Sequence, residues 1–252
     1  MSLRVEGVSM SFGGFKAVDR VSLEIPKGAM VGLIGPNGAG KTTLFANITG
    51  FLPDDEGSIH FKGHCLDGLK PEARIRFGIG RTFQIPREFS HLSVRENLSV
   101  AVPNQLGEGL IGLFFQPGSV RRQEADVARR VEEIILFLNL RAVADLPAGK
   151  LSGGQKKLLE IGRSLLVNPR FLMLDEPFGG VNPVLVKDIS EHIRRLHSQG
   201  IGFLIVEHNL SALCRLVNSL YVMDRGRIIA QGCPDEVLAN PEVREAYMGG
   251  KG

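Results

Sequence analysis

Apolar and polar residues alternate loosely from Leu3 to Pro26 around Gly13-Gly14, and this period of two predicts a half-buried antiparallel hairpin. The next segment is different. Met30-Val-Gly-Leu-Ile34 is a continuous apolar run, short enough for a buried strand, and a glycine-rich turn separates it from a helix expected over about Thr42 to Thr49 and stopped by Gly50. In the middle of the chain the period becomes helical. Ser93-Val-Arg-Glu96 has capping-box spacing at the head of a helix running through Val100, and Val127, Val131, Ile134, Ile135 and Leu138 form one stripe with Arg129, Arg130, Glu132 and Glu133 on other faces. Between them lies a Gly/Pro-bearing stretch, 103–118, with Leu110, Ile111, Leu113, Phe114 and Phe115. It reads as an insertion packed on the helical part, with a partner-docking surface as the alternative.

After Phe171, strand and helix alternate again. Strands are expected at 171–174, 201–206 and 220–223, with helices near 184–198 and 210–217 between them, so the fold class is α/β. The 252 residues are ample for one α/β domain with a sizeable insertion, and no internal repeat or low-complexity segment interrupts them.

Composition narrows the setting. With 30 Lys+Arg against 27 Asp+Glu, there is neither a basic tail for nucleic acid nor an acidic disordered segment. Cys65, Cys214 and Cys233 have no metal-ligand spacing and are odd in number, which points to a reduced, cytoplasmic setting. The start lacks an apolar signal core, and no run reaches membrane-spanning length, so any work at a membrane needs another subunit to cross it.

The chemistry begins at Gly35-Pro36-Asn37-Gly38-Ala39-Gly40-Lys41-Thr42-Thr43. Its glycines let backbone N–H groups converge on phosphate oxygens beside the positive end of the following helix. Lys41 is expected to reach the β- and γ-phosphates of a nucleoside triphosphate, and Thr42 to ligate Mg²⁺. Strand, glycine loop, helix is the context such a loop requires; a glycine turn with an incidental lysine is the plainer alternative. Downstream, the apolar strand Phe171-Leu-Met-Leu ends in Asp175-Glu176. Asp175, at the carboxyl edge of the sheet, is placed to hold Mg²⁺ through water, and Glu176 points elsewhere, to polarise an attacking water.

Leu151-Ser152-Gly153-Gly154-Gln155 adds a second anion site outside the phosphate loop. Ser152 reads as the N-cap of a helix over Gln155 to Val167, and exposed glycines there leave backbone N–H groups free. With this pentapeptide the chain resembles the ATP-binding cassette (ABC) ATPases, whose signature it is, and the resemblance covers the whole sequence.

That resemblance implies a P-loop NTPase core with an N-terminal antiparallel β subdomain and an inserted α-helical signature subdomain. Residues 1–84 and about 168–252 would form the RecA-like core with the β subdomain, and about 85–167 the helical subdomain. Two cassettes pair head to tail in this family, each signature (here Ser152, Gly153, Gly154 and Gln155) closing on ATP held by the other cassette's phosphate loop. Gln84 then matches the glutamine that contacts Mg²⁺ or the attacking water, and His208 the switch histidine that bonds the γ-phosphate and orients Glu176. Phe12 matches the aromatic that stacks on adenine, with ordinary core packing as its competitor. Asn182 falls in the dimer-contact loop, where many members carry Asp.

The implied activity is ATP hydrolysis coupled to transport, with ATP and Mg²⁺ bound and no nucleic acid. Implied partners are transmembrane permease subunits, met through residues 83–89, and indirectly a solute-binding protein. The cassette would sit peripherally on the cytoplasmic face of the inner membrane. The run Gly80 to Gln84, Leu92 to Leu98, Gly180 to Pro183 and the tail from Pro241 through Tyr247 together resemble the ATPases of branched-chain amino-acid importers; urea and amide importers look much alike. Gly153-Gly154 keep the general signature, whereas that subgroup often has a bulky residue there. A lipopolysaccharide-type exporter ATPase, a soluble ABC protein and a phosphate-loop kinase are the competing classes; the last has no use for Leu151 to Gln155.

Overall fold

The computed structural model describes residues 3–82, 88–105 and 117–248. Its contacts group these residues into two compact units. Residues 3–82, 170–179 and 193–248 form the first, and 88–105, 117–169 and 180–192 the second.

The first unit holds two sheets. Strands β1 (Leu3–Phe12) and β2 (Phe15–Ile25) pair antiparallel with Phe12 opposite Phe15, so the turn is the two residues Gly13-Gly14, both at positive φ. That matches the expected hairpin, because a two-residue turn that follows the strand twist needs left-handed backbone. Strands β4 (Glu56–Phe61) and β5 (His64–Cys65) extend this sheet to the order β2-β1-β4-β5.

The second sheet has six strands. Strands β3 (Met30–Ile34), β6 (Ile79–Arg81), β7 (Phe171–Asp175), β8 (Gly202–Val206), β9 (Ser219–Asp224) and β10 (Arg227–Gly232) lie in the order β10-β9-β3-β8-β7-β6. All neighbours are parallel except β9 and β10. Every residue of β3, β7 and β8 is buried, which is why their sequences are continuous apolar runs rather than alternating ones. Helix α1 (Lys41–Thr49) follows β3 and ends at Gly50 in the left-handed conformation; α2 (Pro71–Arg76) precedes β6. The inward faces of both sheets and of α1, including Leu3, Val18, Ile25, Leu44, Phe45, Ile48, Ile59 and Phe171, share one core.

The second unit is helical. Helix α3 (Val94–Val100) starts with the capping box the sequence announces: Glu96 N–H donates to Ser93 Oγ (3.2 Å) and Ser93 N–H to Glu96 Oε2 (2.7 Å). Helix α4 (Pro117–Phe137) begins well before the apolar stripe from Val127, since its first turns face mostly polar residues outward and carry no stripe. Most of the 103–118 stretch lies outside the described residues. Helix α5 (Gly153–Leu165) completes the packing against α3 and α4, where Gly162 sits against Leu138, Leu98 and Ile134. Helix α6 (Pro183–Ser198) carries the chain back to the first unit, followed by α7 (Leu210–Cys214), α8 (Pro234–Ala239) and α9 (Pro241–Met248).

Candidate nucleotide site

Strands β3, β7 and β8 are parallel and in register, with Leu33 and Asp175 both level with Val206. Whatever follows each strand is therefore delivered to one edge of the sheet. The glycine loop follows β3, Asp175 ends β7 with Glu176 next, and Glu207 and His208 follow β8.

The loop opens α1 without a side-chain cap: its N-cap is Gly40, at φ 99°. A β-carbon there would collide with the carbonyl oxygen of Ala17, so only glycine fits the approach. The uncapped N–H groups of the first turn, with Thr42 exposed and Thr43 half-buried, give the loop the donor-rich end that anions select. Lys41 is buried and turned back onto its own loop, donating to the carbonyls of Gly35 (2.8 Å) and Pro36 (2.9 Å). Burial lowers its pKa below the ordinary lysine value, and the charges of Glu176 and Asp175 pull it part of the way back. Gly38 and Asn37 are exposed at the loop crest, and Ala39 is buried beneath it.

Asp175 is 2% exposed and pairs with Arg81, Nη2 to Oδ2 at 3.3 Å. Arg81 also donates to Thr49 Oγ1 (3.1 Å), and its guanidinium lies over the rings of Phe45 and Phe51. Sequence reasoning missed this arginine; its only signal is its position two residues ahead of Phe83, at the end of a strand whose neighbour ends in a carboxylate. Glu176 Oε1 lies 3.0 Å from His208 Nε2. The structure thus brings Lys41, Asp175, Glu176 and His208 together. Phe12 stands at the hairpin tip, 47% exposed, so it is not ordinary core. Gln84 lies outside the described residues, as do Phe83 and Arg87.

A second missed residue is Glu207. It is 3% exposed, and its carboxylate accepts three backbone N–H groups: Phe178 at 2.6 Å, His208 at 3.0 Å and Asn209 at 3.1 Å. Burial pushes its pKa above the ordinary carboxyl value against the pull of those N–H groups.

In the second unit, Ser152 caps α5 as expected. Ser152 N–H donates to Gln155 Oε1 (3.0 Å) and Gln155 N–H to Ser152 Oγ (3.4 Å), while Ser152 and Gly153 are exposed. The expectation of two exposed glycines is corrected at Gly154, which is buried. A β-carbon there would strike Leu185 of α6 and crowd Val181, so the absent side chain serves helix packing. The helix also begins at Gly153 rather than Gln155, because both glycines belong to its first turn. Asn182 has a plain local role: its side chain accepts the Leu185 N–H at 2.9 Å and so caps α6. Glu88 pairs with Lys156 at 2.6 Å, and Phe89, half exposed, is stacked under Arg163.

A glycine loop, a strand-end carboxylate pair and a histidine on one parallel sheet edge, with a capped Ser-Gly-Gly-Gln helix in a separate helical unit, define a nucleotide-hydrolysing cassette. Residues 18–179 match the family model described as ABC transporter, and residues 227–252 match the one described as Branched-chain amino acid ATP-binding cassette transporter. This chain belongs to the ABC transporter family, as a nucleotide-binding, ATP-hydrolysing subunit. Among its relatives is a probable branched-chain amino acid transport ATP-binding protein of Methanocaldococcus jannaschii, 42% identical, covering 98% of this chain and 97% of the relative. Two similar solved structures are ATP-binding cassettes of an ABC transporter. The nucleotide-free one has a TM-score of 0.87 at 41% identity, covering 98% of this chain and 99% of the other. One in its ADP conformation has a TM-score of 0.82 at 41% identity, covering 99% of each.

Proposed function

We propose that this subunit powers uptake of branched-chain amino acids, or of a small polar solute carried by the same kind of importer. The match of residues 227–252 to the branched-chain model carries the reading. That segment, with β10, α8 and α9, lies outside residues 18–179, so it is a resemblance independent of the motifs all cassettes share. The name of the archaeal relative supports it.

The chain's own residues divide the chemistry. The loop Gly35 to Thr43 wraps the phosphates, and Lys41 exchanges the Gly35 and Pro36 carbonyls for phosphate oxygens. Glu176 takes up the proton of the attacking water while His208, 3.0 Å away, holds its carboxylate and bonds the γ-phosphate. Phe12 stacks on the adenine. Among the described residues no cluster of three or more His, Cys, Asp or Glu could enclose a metal. Thr42 and Asp175, with Gln84, are a sparse oxygen set, which suits Mg²⁺, an ion that keeps water and takes phosphate oxygens for the rest of its shell. When bound, Mg²⁺ neutralises charge on the phosphates.

Ser152, Gly153, Gly154 and Gln155 receive the γ-phosphate of a second cassette paired head to tail. Residues 1–84 and about 168–252 act as the core, and about 85–167 as the helical subdomain. No described helix is long and apolar enough to cross a membrane. As a member of its family, the cassette works through permease subunits reached near residues 83–89, on the cytoplasmic face of the membrane, with a solute-binding protein on the far side. The test is reconstitution with the permease pair and the binding protein of a branched-chain amino-acid importer. ATP hydrolysis and uptake should rise with leucine-loaded binding protein; stimulation by urea or an amide alone would sink the solute assignment.

A further inference from the structure

Glu176 is held in an unfavourable backbone shape. Its φ is +49°, in the left-handed region, which costs a side-chain-bearing residue about 1–2 kcal/mol. Such a conformation persists only where the surroundings over-determine it. Here the surroundings are the end of β8. Glu176 N–H donates to Val206 O (2.9 Å), Gly179 N–H closes the turn onto Glu176 O (3.1 Å), and between them Phe178 N–H donates to Glu207 Oε1 (2.6 Å).

The other oxygen of Glu207 serves the other loop. Oε2 accepts His208 N–H (3.0 Å) and Asn209 N–H (3.1 Å), and the Asn209 side chain in turn caps α7 through Ala212 N–H (3.1 Å). The His208 side chain is 46% exposed, so packing does little to hold the imidazole; its ring meets Glu176 Oε1, and its backbone is anchored on Glu207. One buried carboxylate thus spans the two loops that bear Glu176 and His208, one oxygen to each.

We propose that Glu207 is a positioning residue that clips the loop after β7 to the loop after β8 and thereby sets the Glu176–His208 spacing for water activation. The task calls for a carboxylate. An amide of the same shape has one acceptor oxygen and an NH₂ group, so it satisfies one loop and presents a donor to the donor on the other. Burial also raises the Glu207 pKa, so an ionised carboxylate here works against folding, and the cost has a counterpart in geometry.

The proposal rests on the assignment of Glu176 and His208 to water activation, and the test separates the two. The full chain is prepared as wild type, Glu207→Gln, Glu176→Gln, His208→Ala and the Glu207→Gln/His208→Ala double variant. Single-turnover ATP hydrolysis, kcat, KM and ATP affinity are measured on each. Glu207→Gln should lower kcat by about tenfold or more while KM and ATP affinity stay within about twofold. In the His208→Ala background the same change should cost less than about twofold, because its effect passes through His208. Unchanged kcat, equal loss of kcat and ATP affinity, failure to fold, or full additivity in the double variant would each overturn the proposal. Full turnover by both Glu176→Gln and His208→Ala would remove the underlying assignment instead, whatever Glu207→Gln does.

Discussion

Replacing Arg81 by Met should destabilise the nucleotide-free protein by about 3 kcal/mol, and the structure sets that figure. Asp175 and Arg81 are 2% and 10% exposed in their side chains, so neither charge is solvated when the other is removed. Breaking a buried pair from one side costs about 3–5 kcal/mol, because the remaining ion keeps its desolvation penalty and loses its partner. Lys41, close enough for Asp175 to raise its pKa, still attracts the carboxylate and places the effect at the low end of that range. Methionine refills part of the space over the Phe45 and Phe51 rings that the guanidinium occupies, so packing adds less than about 1.5 kcal/mol. For a chain of this size, about 3 kcal/mol is a fall in thermal midpoint of about 6–12 °C. Thermal melts and urea unfolding of Arg81→Met measure it, and Asp175→Asn in the same background should restore at least about half by removing the buried negative charge. A loss under about 1 kcal/mol, or no recovery in the double variant, would refute the claim that this ion pair is energetically buried.

Glu176→Gln should retain ATP binding, lower turnover by about 10²–10⁴-fold and let an ATP-bound dimer accumulate on size exclusion; full hydrolysis, measured free of contaminating ATPase, would remove Glu176 from its role. Phe12→Ala should weaken ATP and ADP alike by about 1–3 kcal/mol without shifting the thermal midpoint, since the ring is exposed at a hairpin tip; unchanged nucleotide affinity counts against stacking. The raised Glu207 pKa also has a sign. An acid protonated more readily in the folded than in the unfolded state contributes stability fully below its ordinary value of 4.5 and loses it as pH rises through the folded value. Wild type should therefore lose stability relative to Glu207→Gln as pH rises above 4.5 in matched urea titrations, and a flat or opposite difference would show that the three N–H groups outweigh burial.

Features encoded by neighbours in the chain were legible in advance. The Gly13-Gly14 hairpin, the capping boxes at Ser93 and Ser152, and the strand, glycine loop and helix from Met30 to Thr49 each depend on residues within a few positions of one another. Short or polar elements escaped. Strand β5 has two residues and α2 six, too few to show a period, while β10 has no fully buried position and therefore no alternation. The start of α4 escaped for a similar reason, since an apolar stripe marks where a helix is packed and not where it begins.

At the site, the kinds of groups present were readable from local spacing: a phosphate loop, two adjacent carboxylates, a histidine and a Ser-capped glycine turn, each recognisable because that spacing dictates its backbone shape. Which of them meet depends on how distant strands pair. The parallel register of β3, β7 and β8 aligns three strand ends, the first of them more than a hundred residues from the other two. From that alignment come the Glu176–His208 contact and the Glu207 clip, and from the pairing of β6 with β7 the Arg81–Asp175 pair. The same holds for Gly154, whose missing side chain reads in sequence as an exposed donor and in the fold as room for Leu185. Side-chain chemistry is a property of a residue, whereas pairing, burial and desolvation are properties of what the fold brings against it.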